Sequence, residues 1–459
     1  MKKFLSVALA ALCAAAMLTS CAGEKAKGTT KEAIEENPVQ EVATAFTTTV
    51  EKTLDSTPVA VINKVADAGN VHFKVSTTVQ GQKMSYDVWA SEGKDIKGAA
   101  KVSAMGIDAT IYVDTKALVV ECDKLLGNKA YGIGFKDIEK NLRSSMLPSM
   151  MGIDVDELLE EAGPVIEILE NLGEYEKQLT AFEKETANTF FEILADEKNY
   201  TATEEMYELK DGQVDAIVLD YKVTPELIVE AVSAYIDTYF ANPLVAQYMN
   251  ILAAMEGVSA EAIKDEFVYE ALDEFEYEIY DAFDEIGMDY FPITVVFNKK
   301  TGEFVYAEVM NDEGEGLYID LGANPNKSEN WIIGFVEDGD EGQIVITKKF
   351  NGNNGVFAIS IEDEEVMSFE LNGGKYVFEV DGYEMATGTC KYSANSLEFS
   401  IDGIVDGEDL EFVIDTQKTP SAPSFKDLLK MSMADFQNVA TTIQKNAMSI
   451  AGSMGGMMY

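Results

Sequence analysis

Leu397-Glu398-Phe399-Ser400-Ile401-Asp402-Gly403 alternates apolar and polar side chains with a period of two and ends on a turn dipeptide. Met367-Ser368-Phe369-Glu370-Leu371 does the same and runs into Asn372-Gly373. Successive side chains of a strand point to opposite faces, so each segment reads as a strand with one apolar and one wet face. Turn signals recur at Thr301-Gly302, Gly322, Asp338-Gly339, Asn351-Gly352 and Asp381-Gly382, with Asp402-Gly403 as the last. Hairpins this close exclude parallel pairing, which needs a long crossover between strands. The stretch from Phe291 to Asp415 therefore predicts a broad antiparallel sheet with one covered side.

Working outward, Val71-His72-Phe73-Lys74-Val75-Ser76-Thr77 alternates in the same way, turns at Gln80-Gly81 and returns as Met84 to Trp89. Further strands are expected at 95–103, 107–114 and 117–122. Between 135 and 200 the apolar period lengthens (Ile153, Leu158, Val165, Ile166, Leu169, Leu172, Leu179, Phe182, Phe190), which predicts two or three helices. Met206 to Leu209, a turn at Asp211-Gly212, and Asp215 to Val223 form a hairpin, and Pro225 opens another helix. The strongest helical stripe is 260–286, with Ile263, Phe267, Leu272, Phe275, Ile279 and Phe283 on one side and carboxylates on the other. A last amphipathic helix is expected from Phe425 to Ala447, beyond Pro420 and Pro423.

The fold class that follows is α+β: a large curved antiparallel β-sheet, half-barrel-like, with helices packed on its apolar face. Residues 40–451 form either one α+β domain or two lobes, strands 70–135 and 288–415 around a helical middle 136–287. Residues 21–39 read as a polar tether carrying no fold, 40–55 as a short amphipathic helix, and 452–459 as a flexible tail.

The chain opens Met-Lys-Lys, continues with an apolar run from Phe4 to Leu18, and reaches Leu18-Thr19-Ser20-Cys21. Two lysines before an apolar stretch too short to span a bilayer make a secretory signal. The small residues before Cys21 fit a lipobox, in which the thiol accepts a lipid before cleavage. Residues 1–20 would then be a lipoprotein signal peptide. Cys21 would hold the mature chain on the outer face of the cytoplasmic membrane, its sole membrane attachment.

Composition narrows the chemistry. With 81 acidic against 35 basic residues the net charge is −46, which disfavours nucleic acids and anionic polymers. One arginine (Arg143) and one histidine (His72) leave little for phosphate gripping or a histidine-based zinc site. Cys122 and Cys390 either form one long-range disulfide or sit as two small buried residues.

No catalytic or metal residue is assigned, no cofactor is expected, and the ligand-binding residues are left unknown. Asn311 to Gly316 and Glu337 to Gly342 resemble fragments of calcium loops without the closing glutamate. His72 shares a strand side with Lys74 and Ser76 and reads as a sheet-face residue. The carboxylates of 260–286 read as a solvated face, and Ser144-Ser145 lacks a nucleophile elbow. Met146, Met150, Met151, Met431, Met433 and Met448 suit either core filling or a deformable apolar lining.

A lipobox, a tether, a short helix, a strand block, a helical insert and a long one-sided sheet together resemble the lipoprotein carriers of the LolA and LppX/LprG type. The chain also resembles extracellular lipoproteins of low-GC Gram-positive bacteria (Firmicutes), which share the segment seen here as Tyr131-Gly132-Ile133-Gly134-Phe135. The resemblance implies a curved sheet wrapped around helices with a cavity for acyl chains, and it carries over Cys21 alone. The expected function is that of a non-enzymatic, membrane-anchored extracytoplasmic binding protein for a lipid or other apolar ligand. The alternative is a surface scaffold meeting a protein partner through its acidic face, and a less favoured one an extracellular hydrolase.

Overall fold

The structure, a computed structural model, describes residues 29–55, 57–79, 81–91, 97–159, 163, 178, 181–182, 185–311, 313–337, 339–405 and 407–455. It is an α+β protein whose strands are joined almost wholly by antiparallel pairing. The chain divides into two compact units. The first holds residues 58–177, 374–376 and 386–459, and the second holds residues up to Thr57 together with 178–373 and 377–385.

The early strands are β1 (Asn70–Val79), β2 (Gln82–Ser91), β3 (Lys97–Ala104), β4 (Ile107–Asp114), β5 (Ala117–Glu121) and β6 (Ala130–Gly134). Those of the second unit are β7 (Tyr200–Leu209), β8 (Gly212–Val223), β9 (Phe291–Asn298), β10 (Phe304–Met310), β11 (Gly316–Asp320), β12 (Asn330–Glu337), β13 (Asp340–Asn351), β14 (Asn354–Ile361) and β15 (Glu364–Asn372). After β16 (Lys375–Val380) come β17 (Tyr383–Ser393), β18 (Ser396–Val405), β19 (Glu408–Asp415) and β20 (Phe425–Asp427).

In the first unit, β1 to β6 pair in sequence order, and β1 also pairs with β19, placing Phe73 opposite Ile414 and Val75 opposite Phe412. β19 continues to β18 and β18 to β17. β20 lies parallel to β6, a parallel pair in a sheet expected to be antiparallel throughout. The helix Pro58–Asp67 lies against β1, β18 and β19 and buries Ala60, Val61 and Val65.

The second unit carries β7 to β15 in sequence order. Its helices cover one side. Ile34 and Ala45 from the N-terminal helices, Leu227 and Ala231 from Pro225–Ala241, and Ile279 and Phe283 from Glu270–Ile286 meet Phe297, Phe304 and Leu321 in one core. These helices start where local chemistry lets them. Asn37, Thr224 and Asn242 cap free amide groups with their side chains, and each is followed by a proline whose missing N–H costs nothing there.

Several expectations change. The division into strands 70–135 and 288–415 around a helical middle does not hold, because β17 to β19 complete the first sheet and β7 and β8 belong to the second. Residues 31–36, placed in the tether, form a helix capped by Thr30, and its Ile34 is fully buried. The Asp402-Gly403 turn is a bulge inside β18, where register slips between Ile401 and Val405. Helix 260–286 is interrupted by a π-helical turn at Asp265–Tyr269. Residues 425–430 are β20 and a short 3₁₀ turn rather than helix, and the last helix runs from Met433 through Gly455, into the expected tail. Cys122 and Cys390 are both free and buried, and burial pushes the Cys390 thiol up to about 11. The signal segment, Cys21, most of the 160–180 helical stretch and residues 456–459 lie outside the described residues.

Candidate functional site

The pairing of β2 to β5 lines up apolar residues in adjoining rows. Val113 stands opposite Leu118, Ala100 opposite Ile111, Ile111 opposite Val120, and Tyr86 opposite Val102. Alternation puts all of them on one face. Val102 and Ile111 are each 48% exposed and Tyr86 45%, and Val113, Leu118 and Val120 are each more than a third exposed. Apolar residues scattered singly on a surface are ordinary, and a contiguous set spread over four strands is not.

The other face of the same strands is the buried one. The row Gly132, Val119, Tyr112, Ala99, Trp89, His72 and Asp415 crosses the sheet from β6 to β19. Val119 is fully buried and Ala99 nearly so. The chain beyond β19 covers this face. Trp89 donates its indole N–H to Gln417 Oε1 at 3.3 Å, while Ala422 and Phe425 pack against Ala117, Val119 and Ala130. Gly132 makes room for this cover, since a Cβ there would lie 3.1 Å from the Phe425 ring and 2.4 Å from the Leu118 carbonyl. Alternation sets two faces apart, and at β2 to β5 the one carrying Tyr86, Val102, Ile111 and Val113 is left open.

His72 sits in the covered face. Lys74 and Ser76 share its side, as the alternation requires, but His72 is only 4% exposed. Its Nδ1 lies 3.0 Å from Asp415 Oδ1, its Nε2 lies 3.4 Å from Asp87 Oδ1, and its ring stacks on Trp89 with centroids 4.8 Å apart. Asp87 also meets Lys74 Nζ at 3.2 Å and accepts from Ser85 Oγ at 3.1 Å. Every polar group here is engaged by a neighbour, and the imidazole ties β2, β1 and β19 together. The expected sheet-face histidine is a buried cross-strand link.

The remaining candidates are accounted for locally. Asn311 Oδ1 accepts from the Glu313 and Glu315 amides, so that calcium-like segment spends its first ligand on its own turn; Asp312 and Asp338 lie outside the described residues. Among the described residues, no three His, Cys, Asp or Glu side chains gather as a metal site. The carboxylates of Glu270–Ile286 are mostly exposed, and Ser144 Oγ donates back to the Lys140 carbonyl. Met146, Met150 and Met151 are exposed, whereas Met431 is buried. Lys348, missed in the sequence, is nearly buried, and its ammonium lies over the Trp331 ring and donates to the Pro325 and Ser328 carbonyls. Burial pushes its amine down to about 8, and its contacts hold the loop before β12.

No family model and no curated protein matches this chain. Among solved structures, it is similar to MucB in complex with MucA(peri), at 6% identity over 78% of this chain and 93% of that one, with a TM-score of 0.10. It is also similar to the MucA/MucB complex of Pseudomonas aeruginosa, at 7% identity over 78% of this chain and 92% of that one, with a TM-score of 0.11. At such scores the likeness bears no weight for fold or function.

Proposed function

We propose that this protein is a non-enzymatic, membrane-tethered extracytoplasmic binding protein that takes an apolar ligand on the open face of β2 to β5. The observation that carries the reading is at these strands: six large apolar side chains are left exposed on one face, while the chain beyond β19 covers the other at Ala117, Val119 and Ala130. A chain that only needed a stable core would bury them. The lipobox ending at Cys21 supports the tether, and the resemblance to lipoprotein carriers supports an acyl-bearing ligand.

Fully burying a Val, Leu or Ile side chain returns roughly 1.5–3 kcal/mol, so covering what is still exposed on five of these and on Tyr86 returns about 4–7 kcal/mol. Before the cost of ordering a ligand, that corresponds to affinities from about millimolar to about ten micromolar. Ile111→Glu puts a carboxylate at the centre of the face and is expected to weaken binding of a fluorescent apolar probe by about tenfold or more. Met206→Glu, at another exposed apolar residue outside the face, is the control and should leave binding unchanged. Equal probe affinity in all three proteins would sink the reading.

A further inference from the structure

The charge of this chain is unevenly placed. Residues 70–143, which contain β1 to β6, carry eleven basic and nine acidic residues, a balance of +2, while the remainder carries 24 against 72. Whole-chain charge hides this, because the acidic helices and the second unit dominate the sum. The segment that bears the open apolar face is free of the acidic excess that dominates the sum.

Within it, some lysines are already occupied. Lys74 meets Asp87, Lys101 meets Asp108 and Lys83 meets Glu411. Lys116 and Lys136 are different. Lys116 lies in the β4–β5 turn and Lys136 follows β6; the Phe135 amide donates to the Lys116 carbonyl at 2.8 Å, which sets the two residues side by side at one end of the sheet. Both are exposed, and among the described residues neither is paired with a carboxylate. The carboxylate nearest Lys116 in sequence, Asp114, is spent on the Lys116 and Ala117 amides at 2.7 and 2.9 Å, while Lys136 is followed by the exposed Asp137. Val113 and Leu118, the end row of the apolar face, flank that turn.

We infer that the ligand is an anionic amphiphile, its apolar chain lying on the β2–β5 face and its phosphate or carboxylate head held by Lys116 and Lys136. The inference rests on the proposed binding reading and adds the charge of the ligand to it. Charge complementarity selects this occupant: the acidic bulk of the chain repels a carboxylate or phosphate, and the two exposed lysines at the end of this face offset that repulsion locally.

The test titrates the chain carrying Cys21→Ser with dodecyl phosphate, with uncharged monolauroyl glycerol and with inorganic phosphate, the amphiphiles below their micelle thresholds. Dodecyl phosphate is expected to bind about fivefold or more tightly than monolauroyl glycerol at low salt. The gap should close near 1 M salt, where the Debye length falls to roughly 3 Å. The double variant Lys116→Glu/Lys136→Glu, with an unchanged thermal melt, should lose the preference and keep the neutral amphiphile. Equal affinities in the starting protein would overturn the inference while leaving the apolar reading intact. Binding of neither amphiphile would overturn both. Inorganic phosphate binding as tightly would reduce the site to a free-anion site and overturn it too. So would binding to phosphatidylglycerol vesicles with no binding of the monomeric amphiphile.

Discussion

His72→Leu is expected to destabilise the first unit by about 2 kcal/mol, within the range for leaving buried polar groups without their hydrogen-bond partner. The imidazole lies between Asp87 and Asp415 and belongs to the middle of three adjacent strands. Leucine leaves both carboxylates facing an apolar group. It also takes the stacked ring from Trp89. Two facts keep the cost from the top of the range: Asp87 retains Lys74 and Ser85, and the Asp415 side chain is 27% exposed. The chain has two tryptophans, Trp89 in the first unit and Trp331 in the second. In a Trp331→Phe background, urea unfolding followed by Trp89 emission reads the first unit directly. An unchanged midpoint would contradict the cross-strand role.

Phe304→Ala is expected to cost the second unit about 4 kcal/mol, within the range for emptying an aromatic site in a packed core. Phe304 is fully buried, with the Phe46 ring edge-on at 5.1 Å and Phe297 perpendicular at 6.5 Å. Its amide donates to Thr49 Oγ1 at 3.0 Å, so the same residue anchors the helix Pro38–Leu54 by backbone and side chain. Little around it is free to collapse into the hole, because Val305 and Phe297 are themselves fully enclosed. Trp331 borders this core and reports its unfolding when Trp89 is replaced by phenylalanine. A loss under about 1 kcal/mol would mean the core is more plastic than its packing indicates.

Most strands were legible because they carry their own evidence: alternation for two faces and, at many of the turns, a glycine. What local sequence does not encode is the partner of a terminal strand. The contact between His72 and Asp415 spans 343 residues, and nothing near either one signals the pairing of β1 with β19. For that reason the lobes were divided wrongly although most of their strands were right. Alternation also says that two faces differ without saying which one another segment will cover. The cover here is residues 416–427, a proline-bearing stretch read only as a lead-in to a helix; Phe425 reaches the sheet because Gly132 leaves space for it. The tether was drawn too long because Lys31–Glu36 is short and polar except for Ile34, and a single buried residue gives no periodicity to read. The basic character of residues 70–143 was present in the sequence, but it becomes visible only when charge is counted by segment.

Everything proposed about function depends on the β2–β5 face being open to solvent and covered by ligand. Ile111→Cys in the Cys13→Ser/Cys21→Ser chain tests this most directly, since the two remaining cysteines, Cys122 and Cys390, are buried and should stay silent. The account predicts that the new thiol reacts with a water-soluble reagent at nearly the rate of a free thiol, and that dodecyl phosphate slows the reaction in proportion to its occupancy. A thiol as unreactive as the two buried cysteines would show the face to be closed, and a rate that no amphiphile changes would show that it holds no such ligand.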